Sequence, residues 1–131
     1  MAPDRESVFR ALRTILQAHA QGLSVTADTN ERYCLDGNVG PATLKAWGGK
    51  AKRPTIPVAW AEVGKSYVSY HLMGVQEDAA GSGALSKALE ARMQGKTCFN
   101  FKSVDDALFA ELRQLTAMSL ARLRKAGFIS G

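Results

Sequence analysis

The chain has 131 residues, 46% hydrophobic and 22% charged, with a formal net charge of +5. These fractions exclude a disordered or fibrous chain, and the length is that of a single domain, residues 1–131, which folds without staples by burying roughly two thirds of its unfolded surface. No apolar run approaches the roughly 18 residues a membrane span needs, and the opening "MAPDRESVFRALRTIL" has early acidic residues and no uninterrupted apolar core. A signal peptide is therefore not expected, and the expected location is the cytoplasm.

From Asp4 to Ala20, apolar positions at Val8, Ala11, Leu12, Ile15, Leu16 and His19 predict a helix, ended by Gly22. "LSVTAD" (23–28) and "RYCLD" (32–36) are β-rich runs separated by "TNE", which predicts a hairpin. "GNVGPATLKAWGGKAKRP" carries glycines and prolines that predict a loop around a short element at Ala42–Trp47. A large aromatic there, Trp47, either packs back onto the domain or marks a contact site. "TIPVAWAEVG" and "SYVSYHLMGV" predict two more strands joined tightly at Gly64-Lys65. Pro57 implies that the first begins at that residue or lies on an edge.

"QEDAAGSG" predicts a loop, and Ser82 or Gly83 the start of a helix through Met93, with Gly95 as its C-cap. "TCFNF" follows as an alternating strand with Thr97, Phe99 and Phe101 on one side. Ser103 is the expected cap of the last helix, with Asp105 and Asp106 in its first turn. Its stripe is Val104, Leu108, Leu112, Leu115, Met118 or Ser119, and Leu123, widened by Phe109 and Leu120 and stopped by Gly127. Hairpin-like links between strands predict an antiparallel sheet with helices on one face, an α+β fold.

Gly95-Lys96-Thr97 resembles the end of a phosphate-binding loop, yet the first glycine of such a loop falls on Glu90. The expected order, helix before and strand after, is also the reverse of a loop that opens a helix. Nucleotide binding is not expected there. Cys34 and Cys98 have no C-x-x-C spacing and read as small buried hydrophobes. Together with His19 and His71 they show no zinc-ligand spacing.

Candidate chemistry lies on the predicted strand at 66–75. A period of two puts Tyr67, Ser69, His71 and Met73 on one face, and Val68, Tyr70 and Leu72 on the core face. Trp60 and Glu62 share a face of the preceding strand. Cys98, Asn100 and Lys102 alternate opposite Phe99 and Phe101. Trp60, Tyr67, Ser69, His71, Lys96, Cys98 and Asn100 are thus the candidate residues of an open groove for a small anionic ligand or a peptide. The plainer account is an exposed sheet face or a homodimer interface. A Cys98–His71 nucleophile pair is conceivable on residue types alone, but strand position favours an inert thiol and no orienting third residue is evident.

The segment "KSYVSYHLMGV" and, after a spacer, "LEARMQGKTCFNFKSVDDALFAELRQLTAMSLARLRKAG" resembles the YdhG-like family of small bacterial domains, over most of the chain and most clearly from Lys65 to Gly127. The resemblance implies a secretion-chaperone-like α+β fold and no catalytic motif. Some members are described as frataxin-like iron carriers, a role that uses rows of acidic side chains. Here Asp4, Glu6, Glu77 and Asp78 are the metal candidates, although Arg5, Arg10 and Arg13 lie among the first two. No cofactor other than such iron is expected. The net positive charge also admits nucleic acid as a partner, through Lys50, Lys52, Arg53, Arg122, Arg124 and Lys125. The scatter of basic residues disfavours it. The function expected from the sequence is non-catalytic binding of a protein partner or small ligand at the open sheet face.

Overall fold

The computed structural model describes residues 2–50, 54–73, 86–94 and 98–130, without the side chains of residues 2–4, 94 and 130. Helix α1 (Ala2–Ala18) leads into β1 (Ser24–Asp28), β2 (Arg32–Val39), the short helix α2 (Pro41–Ala46), β3 (Thr55–Val63) and β4 (Val68–Leu72). A one-turn helix α3 (Lys87–Glu90), strands β5 (Met93–Gln94) and β6 (Cys98–Phe101), helix α4 (Asp106–Ala126) and β7 (Ile129–Ser130) complete the described elements. The sheet is antiparallel throughout, in the order β1-β2-β3-β4-β6-β5, with β7 also paired to β2. The α+β expectation holds.

The helices cover one face of the sheet. From α1 come Val8, Phe9, Leu12, Ile15 and Leu16, all buried. From α4 come Leu108, Phe109, Leu112, Leu115, Leu120 and Leu123. They meet Tyr33, Leu35, Ala59, Ala61, Val68, Tyr70, Leu72, Phe99 and Phe101 of the strands in one apolar cluster. Phe101 and Phe109 meet edge to face at 5.0 Å between centroids, a geometry the ring quadrupoles favour. A buried hydroxyl pair at the centre is satisfied: Tyr70 Oη and Thr116 Oγ1 lie 2.6 Å apart, and Thr116 donates onward to the Leu112 carbonyl at 2.8 Å. Burial holds the Tyr70 hydroxyl far above the ordinary tyrosine pKa, the contact with Thr116 opposing, so the residue stays protonated. With the Thr116 proton given to the Leu112 carbonyl, Tyr70 is the donor of the pair.

Several expectations are corrected. Asp105, not Ser103, caps α4, its carboxylate accepting from Leu108 N at 3.1 Å. Gly127 ends the helix at φ 83°, as expected of a left-handed C-cap glycine. Of the two alternatives Met118 and Ser119, Ser119 faces inward and Met118 is exposed; Val104, expected in the stripe, is exposed because it precedes the N-cap Asp105 and lies outside the helix. The helix expected through Met93 ends at Glu90. Ser86 caps it, and Met93–Gln94 pair instead with Phe99 and Cys98 of β6. The C-cap expected at Gly95 lies outside the described residues, and the stretch before it is a strand.

Strand β3 begins at Thr55, two residues before Pro57, and is an interior strand. Proline is tolerated because the β2–β3 register shifts beside it, between Leu35 and Asp36, and the β4 pairing starts only at Ala59. Strand β2 runs to Val39, beyond the expected end at Asp36, because β3 pairs with Gly37 and Asn38 and β7 with Asn38 and Val39. That docking needs glycines. A Cβ on Gly37 would meet Ile129 Cγ2 at 2.7 Å, and one on Gly40 would collide with the Gly127 carbonyl. Trp47 follows α2 as a half-buried C-cap, so it packs partly back onto the domain.

Candidate functional site on the uncovered sheet face

Pairing register decides which side chains share the uncovered face. One cross-strand row runs Cys34, Trp60, His71, Cys98, and the next runs Arg32, Glu62, Ser69, Asn100. Residues directly opposite in an antiparallel ladder lie about 4.5–5.5 Å apart, so each row is a continuous line of contacts. The face expected from alternation therefore forms. Trp60, Ser69, His71, Cys98 and Asn100 all lie on it, and β2 adds Cys34 and Arg32, which the sequence reading did not place there.

The centre of the face is His71. Its ring stacks on Trp60 at 4.5 Å between centroids and 12° between planes. Its Nδ1 lies 2.7 Å from Cys98 Sγ, and its Nε2 3.3 Å from Ser69 Oγ. Ser69 in turn donates to the Glu62 carbonyl at 3.4 Å. With a neutral ring all three bonds form together in one arrangement: Ser69 donates to the carbonyl, Nε2–H donates to Ser69 Oγ, and Nδ1 accepts from the thiol. Burial lowers the imidazole pKa below its ordinary value, the Glu62 carboxylate opposing and Arg32 adding to the effect. The neutral acceptor form is therefore favoured near neutrality. Ser69 is the orienting third group that the residue types did not suggest.

The two cysteines differ. Cys34 is buried as expected, its thiol 3.5 Å from Asp36 Oδ1. Asp36 also accepts from Thr26 at 3.0 Å and Thr55 at 2.8 Å. Burial pushes the Cys34 thiol up, the Thr26 hydroxyl opposing and Asp36 adding to the rise. Cys98, expected to be buried, is only half-buried, because no described helix lies over the outer side chains of β6. The strand order places the thiols three strands apart, about 14 Å at ordinary strand spacing, beyond disulfide reach.

Beside the second row lies a cleft of about 390 Å³, lined by Ser66, Tyr67, Ala91, Arg92, Met93, Asn100 and Lys102. Tyr67 belongs to it rather than to β4, in the four-residue link where Gly64 N donates to the Tyr67 carbonyl at 2.8 Å. Arg92 brings a second cation next to Lys102. No sequence signal marked it, because it precedes a strand of only two residues. Lys96 lies outside the described residues. A larger cleft, about 730 Å³, runs along α1 and the β1–β2 turn. Its three arginines are already engaged: Arg10 with Glu6 at 3.0 Å, Arg13 with Asp28 at 2.6 Å, and Arg5 with the Gly64 carbonyl at 2.6 Å.

The other candidates are more scattered. Glu6 pairs with Arg10, while the Asp4 side chain and all of Glu77 and Asp78 lie outside the described residues. Among the described residues no group of three His, Cys, Asp or Glu side chains is placed to hold a metal ion. Lys50 and Lys125 are exposed, and Lys52 and Arg53 lie outside the described residues. Arg124 donates to the Gln21 carbonyl at 3.2 Å, tying α4 to the α1–β1 link, and Arg122 is half-buried. Among the described residues no helix is long and apolar enough to cross a membrane. Compared with protein-family models, curated proteins and solved structures, the chain matches none.

Proposed function

We propose that the chain is a non-catalytic, YdhG-like binding domain that takes a small anionic ligand with a flat ring at the edge of its uncovered sheet face. The observation that carries this reading is the cleft in which Arg92 and Lys102 stand beside Tyr67 and Asn100, adjoining the Ser69–His71 relay. Two cations supply attraction for a carboxylate or phosphate, the Tyr67 ring supplies a flat apolar wall, and amide and hydroxyl groups fix orientation. The match in charge also agrees with the chain's excess of basic residues.

The test is an amide NMR titration with benzoate and with benzamide, its uncharged counterpart. Saturable shifts at residues 66–69, 92–93 and 98–102 are expected with benzoate, weaker ones with benzamide. Both cations should matter, so Arg92→Gln/Lys102→Gln should remove the difference. Equal response to the two probes, or shifts spread over the whole domain, would defeat the reading.

A further inference from the structure

We infer that Cys98 is a site of thiol–disulfide exchange, with His71 as its proton acceptor and a small carboxylate-bearing disulfide as its co-reactant. Three separate features converge on the thiol. The first is its 2.7 Å contact with His71 Nδ1. The second is the fixed pose of that ring, stacked on Trp60 and held at Nε2 by Ser69. Nε2 keeps its proton whether the thiol proton sits on sulfur or on Nδ1, so moving it requires no rearrangement of the relay. The third is access: Cys98 is half-buried on a face that no described helix covers, while Cys34 is enclosed.

The reaction balances with these groups alone. The Cys98 proton passes to His71 Nδ1, and the thiolate attacks one sulfur of the disulfide. The new Cys98 Sγ–S bond forms as the old S–S bond breaks, and its electron pair leaves on the second sulfur. That thiolate takes the proton from Nδ1. Cys98 is oxidised to a mixed disulfide and the co-reactant is reduced to one thiol. No oxyanion hole is required, in contrast to acyl transfer. The acidic character of the co-reactant rests on the anion cleft proposed above. Asn100, two residues along β6 and part of that cleft, is about 7 Å from Cys98 along the strand, a span a small aromatic carboxylate covers. The charged groups facing His71 are Glu62 from β3 and Arg32 from β2.

The experiment follows 5,5′-dithiobis(2-nitrobenzoate), a dianionic disulfide, and 2,2′-dithiodipyridine, a neutral one, reacting with the folded chain at pH 7. One equivalent is expected to react rapidly with each, mapped to Cys98 by mass spectrometry, with Cys34 reacting only after unfolding. His71→Gln should slow both reagents about tenfold or more, within the range of general-base assistance. Arg92→Gln/Lys102→Gln should slow the dianion about fivefold while leaving the neutral reagent nearly unchanged. Equal rates in the native chain and His71→Gln would overturn the exchange site itself. A dianion rate unaffected by the charge removal, with the His71 dependence intact, would overturn the acidic co-reactant and the anion cleft while leaving the activated thiol standing.

Discussion

Tyr70 and His71 are consecutive residues of β4, and each belongs to a two-step hydrogen-bond relay. Tyr70 donates to Thr116, which donates to the Leu112 carbonyl. His71 donates through Nε2 to Ser69, which donates to the Glu62 carbonyl. The first relay is sealed beneath α4, and both of its hydroxyl protons have one destination. The second has an extra acceptor, Nδ1, facing a half-buried thiol. Identical strand geometry thus gives a structural bond on one face and a movable proton on the other. The difference lies in whether a helix covers the side chain.

Breaking the covered face should cost far more than breaking the open one. Phe99 is fully buried, so Phe99→Ala should destabilise by about 3–5 kcal/mol through lost transfer energy and a cavity. Cys98→Ala, one residue away, should cost less than about 1 kcal/mol because its side chain is only half-buried. Urea melts of the two variants provide the comparison; similar midpoints would contradict the assignment of faces.

The next effect is at the sheet edge. Gly40 has an extended φ of −96°, so its requirement is steric rather than conformational. Gly40→Ala must push the Gly127 carbonyl away, and overpacking of this kind costs about 1–3 kcal/mol. The Asn38–Ser130 and Val39–Ile129 pairing should loosen with it. Hydrogen exchange at these strand ends should accelerate selectively, while amides at the centre of β3 change in step with global stability alone.

Much of this comparison was legible in the sequence, and the limits are physical. Alternation in "YVSYHLM" separates Val68, Tyr70 and Leu72 from Ser69 and His71, because a strand has a period of two whatever its neighbours are. It does not reveal which strand lies alongside. The Cys98–His71 contact depends on β6 pairing directly with β4 while β5 sits outside it, an order fixed by packing far along the chain. The same holds for Cys34, which joins the face through the β2–β3 register. Strand β7 has two residues, too few for any periodicity, and exists because Gly37 and Gly40 leave room for it. Thr116 was missed as a core residue because a hydroxyl is buried in a helix only when a partner such as Tyr70 waits opposite it.

The covered relay predicts an asymmetry. Thr116→Val leaves the Tyr70 hydroxyl buried without an acceptor, at about 1–3 kcal/mol. Tyr70→Phe removes the donor but leaves Thr116 bonded to Leu112, so the cost should be nearer 1 kcal/mol. The double variant should resemble Tyr70→Phe rather than the sum, because the stranded hydroxyl has gone. Additive melts would show that the two groups do not share a bond.

The smallest effect belongs to the open relay and is read as pH dependence. His71 has a folded pKa below the ordinary histidine value of 6.5, first because it is partly buried, with Arg32 adding and Glu62 opposing. As the pH falls past 6.5, the unfolded chain takes up a proton that the folded one resists, so the unfolded state gains. The stabilising difference is therefore fully present above 6.5 and is lost as the pH falls through the lower folded value. The thiol of Cys98, facing Nδ1, loses its acceptor over the same window. Urea midpoints of the native chain should fall more steeply between about pH 7 and pH 5 than those of His71→Gln, whose side chain does not titrate there. His19, with its Nδ1 donating to the Ile15 carbonyl at 2.8 Å, is present in both chains and cancels from the difference. Superimposable profiles would mean that His71 titrates alike in the folded and unfolded chains, and the contrast with Tyr70 would then rest on geometry alone.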